Sequence, residues 1–188
     1  MEDPLVEGGI RKLWPGQTGQ YRDHLLRLDP GSRASRFYAG VQDDVICRYI
    51  DNLDTFGIVL HGFFVNDVLR GAAELRLLGL AFADAAEVAL SIEKPWQSHG
   101  VGSALLERCL LSARNRGIKH LQMNCLPDNE RMQQLARKFE ADLNFDLGSI
   151  VGEVETPFPT PLSILREFVA DGSTLANAVL SAQRRLLR

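Results

Sequence analysis

No run in these 188 residues approaches the 18 or more consecutive apolar side chains of a membrane-spanning helix, although 45% of the residues are hydrophobic. With 24% charged residues beside that apolar fraction, the composition is that of an ordinary soluble globule with one well-buried core, and no membrane partner is expected. Cysteine is scarce. Cys47, Cys109 and Cys125 are odd in number and widely spaced, which argues against a disulfide framework or a zinc site. His24, His61 and His120 are scattered without metal-ligand spacing, so no metal is expected. An excess of basic charge is also missing. The formal net charge of −3 argues against bulk nucleic-acid binding, which depends on clustered Lys and Arg. The opening Met1-Glu2-Asp3-Pro4 lacks a basic-then-apolar signal pattern, and a cytoplasmic location is the expectation that follows.

What is present is a junction between an apolar strand and an amphipathic helix. The strand reads Ala86-Glu87-Val88-Ala89-Leu90-Ser91-Ile92, the loop Gln97-Ser98-His99-Gly100-Val101-Gly102-Ser103, and Leu105, Leu106, Cys109, Leu110 and Ala113 then repeat at helical spacing. At a helix N-terminus the first backbone N–H groups lack intrahelical partners and the macrodipole is positive, so such a loop suits pyrophosphate. Neither common nucleotide motif fits it. The dinucleotide fingerprint needs a third glycine where Leu105 stands and an acid where the next strand offers Gln122 and Asn124. A phosphate loop ending in Gly-Lys-Ser/Thr occurs nowhere.

The remaining pattern, Q-x-x-G-x-G, resembles the coenzyme A signature of the GNAT superfamily of acyltransferases, and the similarity runs from about Gly57 to Val154. It implies that the strand before the loop splays from its parallel neighbour, placing Leu90, Ser91 and Ile92 on the pantetheine arm. Gln97, Ser98, His99, Gly100, Val101, Gly102 and Ser103 would then contact the phosphates, mostly through backbone N–H groups. Downstream, Asp128-Asn129-Glu130-Arg131 follows a strand, and the family's helix-opening asparagine falls on Asn129. Many members carry a tyrosine after the Leu of that helix to protonate the leaving thiolate; here the residue after Leu135 is Ala136. The stretch Asp29 to Phe37, followed by Val41-Gln42-Asp43-Asp44, is similar to the first helices of the bacterial protein-lysine acetyltransferase subgroup, where Phe37 and Tyr38 would flank the acceptor entrance or sit in the core.

The order of elements is α/β, a central mixed sheet flanked by helices: strands at Gly9–Trp14, Gly57–Val65, Leu69–Leu78, Glu87–Glu93, His120–Leu126 and Asp142–Glu155, the last broken at Gly148-Ser149. Helices are expected at Thr18–Leu28, around Val41–Ile50, from Gly100 to Arg116 and from Asn129 to Phe139, with Asp29-Pro30-Gly31-Ser32 as a break. Residues 1–155 are read as the acetyltransferase domain. Residues 156–188 form a Pro-rich linker and a helical C-terminal extension, with helical patterns at Leu162–Ala170 and Thr174–Leu187. That tail is expected to pack on its own domain, with a homodimer contact or a lid as the alternatives.

The resemblance implies an N-acetyltransferase that moves acetyl from acetyl-CoA to a primary amine, a protein lysine or a small amine, by direct attack in a ternary complex. An amine near the lysine reference of about 10.4 is mostly protonated at neutral pH, so attack needs a base. Glu87 is the first candidate; Glu74 on the preceding strand is the second, and Glu93 is read as a turn residue. The N–H at or near Ile92 would polarise the thioester carbonyl. A non-catalytic acyl-CoA-binding sensor or a scaffold module is the competing reading, and Ala136 gives it weight.

Overall fold

The structure, a computed structural model, describes residues 8–54, 57–79, 84–146 and 149–172. Seven strands form one sheet: β1 Gly8–Leu13, β2 Ile58–Val65, β3 Val68–Leu77, β4 Ala85–Ile92, β5 His120–Cys125, β6 Asp142–Asp146 and β7 Ser149–Glu155. Their spatial order is β1-β2-β3-β4-β5-β7-β6, and every neighbouring pair is antiparallel except β4 and β5. The helices are α1 Thr18–Arg27, α2 Pro30–Phe37, α3 Asp43–Asp51, α4 Val101–Asn115, α5 Glu130–Lys138 and α6 at 161–172. Among the described residues no helix is long and apolar enough to cross a membrane.

Local chemistry explains the boundaries. Asn66 and Asp67 both take left-handed backbone angles (φ 50 and 61), as a two-residue hairpin turn between twisted strands demands. Asp29, read as part of a break, also starts a helix that periodicity did not announce and that only the resemblance of Asp29–Phe37 to the subgroup's first helices implied: its carboxylate accepts the Ser32 N–H at 3.2 Å, and Pro30 occupies the first helical position. Gly117, at φ 73, ends α4 as expected, with its N–H on the Arg114 C=O and Ile118 N–H on Ala113 C=O. On β3 the register slips beside Phe63 and Phe64, so that Arg70 has no partner across the strand pair. This bulge aims the Arg70 guanidinium at Glu93, 2.9 Å away.

The sheet separates two apolar layers. On one side Ala73, Leu75, Ala86 and Val88 pack on Leu105, Leu106 and Cys109 of α4. On the other, Leu60, Phe64 and Ala72 pack on Tyr21 and Leu25 of α1 and on Ile46 and Ile50 of α3. The period-two alternation of β4 therefore sends Glu87, Ala89 and Ser91 to the α1–α3 face.

The helix α6 docks the reverse of the usual way. Its polar residues face inward: Glu167 accepts from Ser112 Oγ (2.7 Å), Asn115 Nδ2 (2.7 Å) and Arg116 (2.8 Å), and Asp171 accepts from Arg108 at 2.8 Å. Its apolar residues face out, Phe168 at 75% exposure and Leu162, Leu165 and Val169 beside it. The second expected tail helix, Thr174 to Leu187, lies outside the described residues.

Candidate active site

The parallel β4–β5 ladder pairs Ala85 with His120, Ala86 with Leu121 and Glu87 with Gln122, and then stops. Beyond Glu87 the two strands fork. The Glu93 N–H bonds the Arg70 C=O, and the Leu78 N–H bonds the Ala85 C=O, so odd-numbered residues of β4 turn their backbone groups to β3. Val88, Leu90 and Ile92 consequently turn theirs into the fork. Ser35, Arg36, Tyr38, Ala89, Leu90, Asn124, Asn129 and Met132 line the cleft that results.

The glycine loop follows β4 through the turn Lys94–Trp96 and leads into α4. Ser98 (φ 61) and Gly100 (φ 80) are left-handed, a geometry that suits glycine and that turns the loop into α4 without any side-chain cap. The first intrahelical bond is Ala104 N–H to Gly100 C=O, 3.0 Å, which leaves the N–H groups of Val101, Gly102 and Ser103 without intrahelical acceptors. No acidic residue occupies the first turn. His99 Nδ1 is buried without a hydrogen-bond partner, an orphaned polar atom in a loop otherwise rich in free donors. Two cations from α5 reach the loop: Lys138 Nζ donates to Ser103 Oγ at 3.0 Å, and Arg131 donates to Gln97 Oε1. Gln97 braces the loop further by donating to Ile92 C=O (2.8 Å) and Ser32 Oγ (3.1 Å). Free N–H groups, a helix N-terminus and converging cations fit an extended anion with an arm running into the fork. Arg131 and Lys138 were missing from the sequence-based list, because nothing in a helical repeat says that one turn end meets a loop about 35 residues away.

Asn129 caps α5, its Oδ1 accepting the Met132 N–H at 3.2 Å, and it lines the cleft. Leu90 lines the cleft, its backbone groups turned away from β3, while its side chain packs against the α4-side core. Ser91 sits differently: its backbone registers with Ala72 of β3, and its hydroxyl is 3.0 Å from His24 Nε2 in the interior.

Glu87 is the last residue of β4 paired with β5 and so stands at the vertex of the fork. Its Oε1 accepts from Asn124 Nδ2 at 2.9 Å, and Arg76 lies opposite it across the strand pair. The half-buried carboxylate is therefore oriented by Asn124, a lining residue of the cleft, without itself lining it. The second candidate, Glu74, is 2% exposed and fully engaged: one oxygen accepts from Tyr21 (2.9 Å), Arg36 (2.9 Å) and Tyr49, the other from Arg76 (2.7 Å). Burial favours its neutral form, but Arg36 with Tyr49 and Arg76 outweighs that and holds it below the usual carboxylate range. A carboxylate so occupied is a structural anion rather than a base. Cys125 is buried, its thiol pushed up by burial, which suits no nucleophile. Ala136 is also buried and points at β7, where a Cβ on Gly152 would meet its Cβ at 3.4 Å.

Glu93 opens the 3₁₀ turn Lys94–Trp96, as expected of a turn residue, and its carboxylate also ties the end of β4 to α1 and β3. It accepts from Arg27 (2.9 Å) and Arg70 (2.9 Å), with His24 Nδ1 at 3.3 Å. With Nδ1–H turned to Glu93, His24 Nε2 accepts from the Ser91 hydroxyl, which commits that serine as a donor. Burial works to raise the Glu93 pKa, but the bonds from His24, Arg70 and Arg27 prevail and lower it from 4.5 to about 2. Because the folded value is depressed, this contribution is complete above about pH 4.5 and fades as pH falls toward 2. The stability gap between wild type and Glu93→Gln should accordingly narrow over that window in thermal melts. A gap that stays constant with pH would remove Glu93 as its source.

The comparisons with known proteins agree with this geometry. The profile of the acetyltransferase (GNAT) family matches residues 14–140, more than half of the chain. The chain belongs to the GNAT acetyltransferase family. Among solved structures, the fold is similar to the GNAT domain of S. lividans PAT, with a TM-score of 0.68, 23% identity, and coverage of 78% of this chain and 89% of that one. It is also similar to the PaiA N-acetyltransferase of Thermoplasma acidophilum in complex with coenzyme A (TM-score 0.59, 18% identity, 79% and 98% coverage). A third is yncA of Salmonella typhimurium, a putative acetyltransferase with its cofactor acetyl-CoA (TM-score 0.59, 16% identity, 80% and 95% coverage).

Proposed function

We propose that this protein is an N-acetyltransferase that transfers acetyl from acetyl-CoA to a primary amine by direct attack, with Glu87 as the base. The observation that carries the reading is the β4–β5 ladder ending at Glu87 and Gln122, because it sets a carboxylate at the point where an arm in the fork would end. The glycine loop and the start of α4 hold the pyrophosphate, with His99, Lys138 and Arg131 beside it. The backbone groups of Leu90 and the N–H of Ile92, whose C=O is taken by Gln97, hold the pantetheine. One of these two N–H groups donates to the thioester oxygen as negative charge builds there. Glu87, directly or through one water, takes one proton from the ammonium; the nitrogen bonds to the acyl carbon as the C–S bond breaks, and the nitrogen's second surplus proton passes to the departing thiolate or to water. A thiolate near pKa 8.5 is a competent leaving group at neutral pH, so Ala136 does not block the step. The resemblance of the first helices to the protein-lysine acetyltransferase subgroup, and the similarity to the PAT domain, favour a lysine side chain as acceptor.

Calorimetric titration with acetyl-CoA on wild type and Gly102→Glu tests the binding half. A Cβ at Gly102 meets only Ile92 Cδ1 at 3.4 Å and Leu135 Cδ2 at 3.6 Å, ordinary contacts. Glutamate is also a better helix former than glycine and favourable in a first turn. The variant should therefore melt no lower than wild type, yet lose affinity at least 100-fold, about 2.7 kcal/mol, because its carboxylate meets phosphate. Equal affinity in the two proteins would move the coenzyme away from this loop.

A further inference from the structure

Tyr38 is the residue after α2, and it holds a left-handed backbone (φ 60) that glycine would adopt far more cheaply. The residue is 41% exposed, so core packing does not account for a bulky ring there. What the conformation achieves is the aim of the side chain. Tyr38 lines the cleft, and its hydroxyl donates to the Asn124 C=O at 3.0 Å.

The sheet register says what that carbonyl would otherwise do. In a parallel ladder the N–H of residue i bonds the carbonyl of the residue before its partner, and its C=O accepts from the residue after. Ala86 is partnered with Leu121, so it bonds to His120 and Gln122. Continuing the same register, Val88 would bond to Gln122 and Asn124, and the Leu90 N–H would bond to the Asn124 C=O. On β5 the even-numbered residues do face β4, since the His120 N–H bonds the Asp84 C=O while the Lys119 C=O is taken by Thr156 beyond β7. The acceptor that would close the fork on Leu90 is thus the one that the Tyr38 hydroxyl occupies.

We propose that Tyr38 is a wedge: its hydroxyl takes the place of the Leu90 N–H on Asn124, holds β4 and β5 apart ahead of ligand, and so keeps the Leu90 N–H free for the coenzyme arm. The same bond fixes the backbone of Asn124, whose side chain orients Glu87 at 2.9 Å. Tyr38 is in this sense a positioning residue, and its assignment to the coenzyme arm rests on the reading of the fork as a coenzyme site. The left-handed strain is the stability cost of aiming the ring across the gap.

Tyr38→Phe keeps the ring and removes only the hydroxyl. NMR-detected amide exchange on the ligand-free protein is the deciding measurement. Without the wedge, Leu90 can close on Asn124, so its amide should exchange several-fold more slowly in the variant than in wild type. A residue of merely structural importance would do the opposite, loosening the strand and speeding exchange. Coenzyme A, titrated calorimetrically, should bind roughly fivefold more weakly to the variant, since the arm must now displace about one net backbone hydrogen bond. In turnover the KM for acetyl-CoA should rise by a similar factor. Unchanged or faster Leu90 exchange in Tyr38→Phe overturns the wedge. Failure of wild type to bind coenzyme A would instead defeat the reading of the cleft, and the exchange comparison in ligand-free protein would still decide whether Tyr38 holds the strands apart.

Discussion

Glu87→Gln is expected to lower kcat by about 10²–10⁴ at neutral pH while leaving acetyl-CoA affinity within about twofold of wild type. Glutamine keeps the shape and still accepts from Asn124 Nδ2, so the vertex of the fork retains its bond. What it loses is the capacity to take a proton. At pH 7 only roughly one lysine-like amine in 10³ is free, given a reference pKa of about 10.4. Wild type draws on the protonated majority through its base; the variant depends on the free fraction alone. Its deficit should therefore shrink as pH rises from about 7 to about 9, because the free amine grows about tenfold per unit below its pKa. Initial rates with a lysine peptide across that range check both parts. A deficit that is constant with pH, or that appears in affinity rather than in kcat, would make Glu87 a structural residue.

The other large effect concerns stability. Arg36→Met should cost about 3 kcal/mol, because it removes the buried cation from Glu74 and leaves only the more exposed Arg76, at 2.7 Å, to compensate the carboxylate. For a chain of this size each kcal/mol moves the melting temperature by about 2–4 °C, so a drop of roughly 10 °C is expected. Arg36 also donates to Tyr21 (3.1 Å) and Tyr49 (2.9 Å), which ties α2 to α1, α3 and β3 through one guanidinium. Adding Glu74→Leu should recover part of the loss, since it removes the under-compensated buried carboxylate while Arg76, 42% exposed, can be solvated. Glu74 has its folded pKa lowered, so its contribution is present above the ordinary carboxylate range and disappears as pH falls below it. Scanning calorimetry of the single and double variants decides the matter; a single variant that melts with wild type would mean that the network contributes little.

These two effects differ in how far the sequence foretold them. The alternation of β4, the glycine loop and the helical repeat after it make the coenzyme side legible, since each is a local pattern within about ten residues. Asn129 is legible for the same reason: a helix cap is a local event, and its side chain does cap α5. Long-range partners leave no such trace. The bond from Tyr38 to Asn124 spans 86 residues and that from Asn124 to Glu87 spans 37, so neither pair is suggested by spacing. The turn at Glu93 is legible, but its ion pairs are not, because their partners come from α1 and from a bulge in β3 that no pattern announces. Nor does amphipathicity say which face turns inward. In α6 the polar face docks, because Ser112, Asn115, Arg116 and Arg108 of the neighbouring helix and its end present donors to Glu167 and Asp171.

The central claim is amine acetylation at the vertex of the fork, and free-thiol release from acetyl-CoA tests it most directly. The measurement compares a lysine peptide, a mixture of small amines and no acceptor, with the mass of the peptide read in the same samples. The account predicts saturable thiol release that requires an amine, one acetyl gained per thiol released, and loss of both in Glu87→Gln at neutral pH. Binding of acetyl-CoA without any amine-dependent release would contradict it and leave an acyl-CoA-binding module in its place.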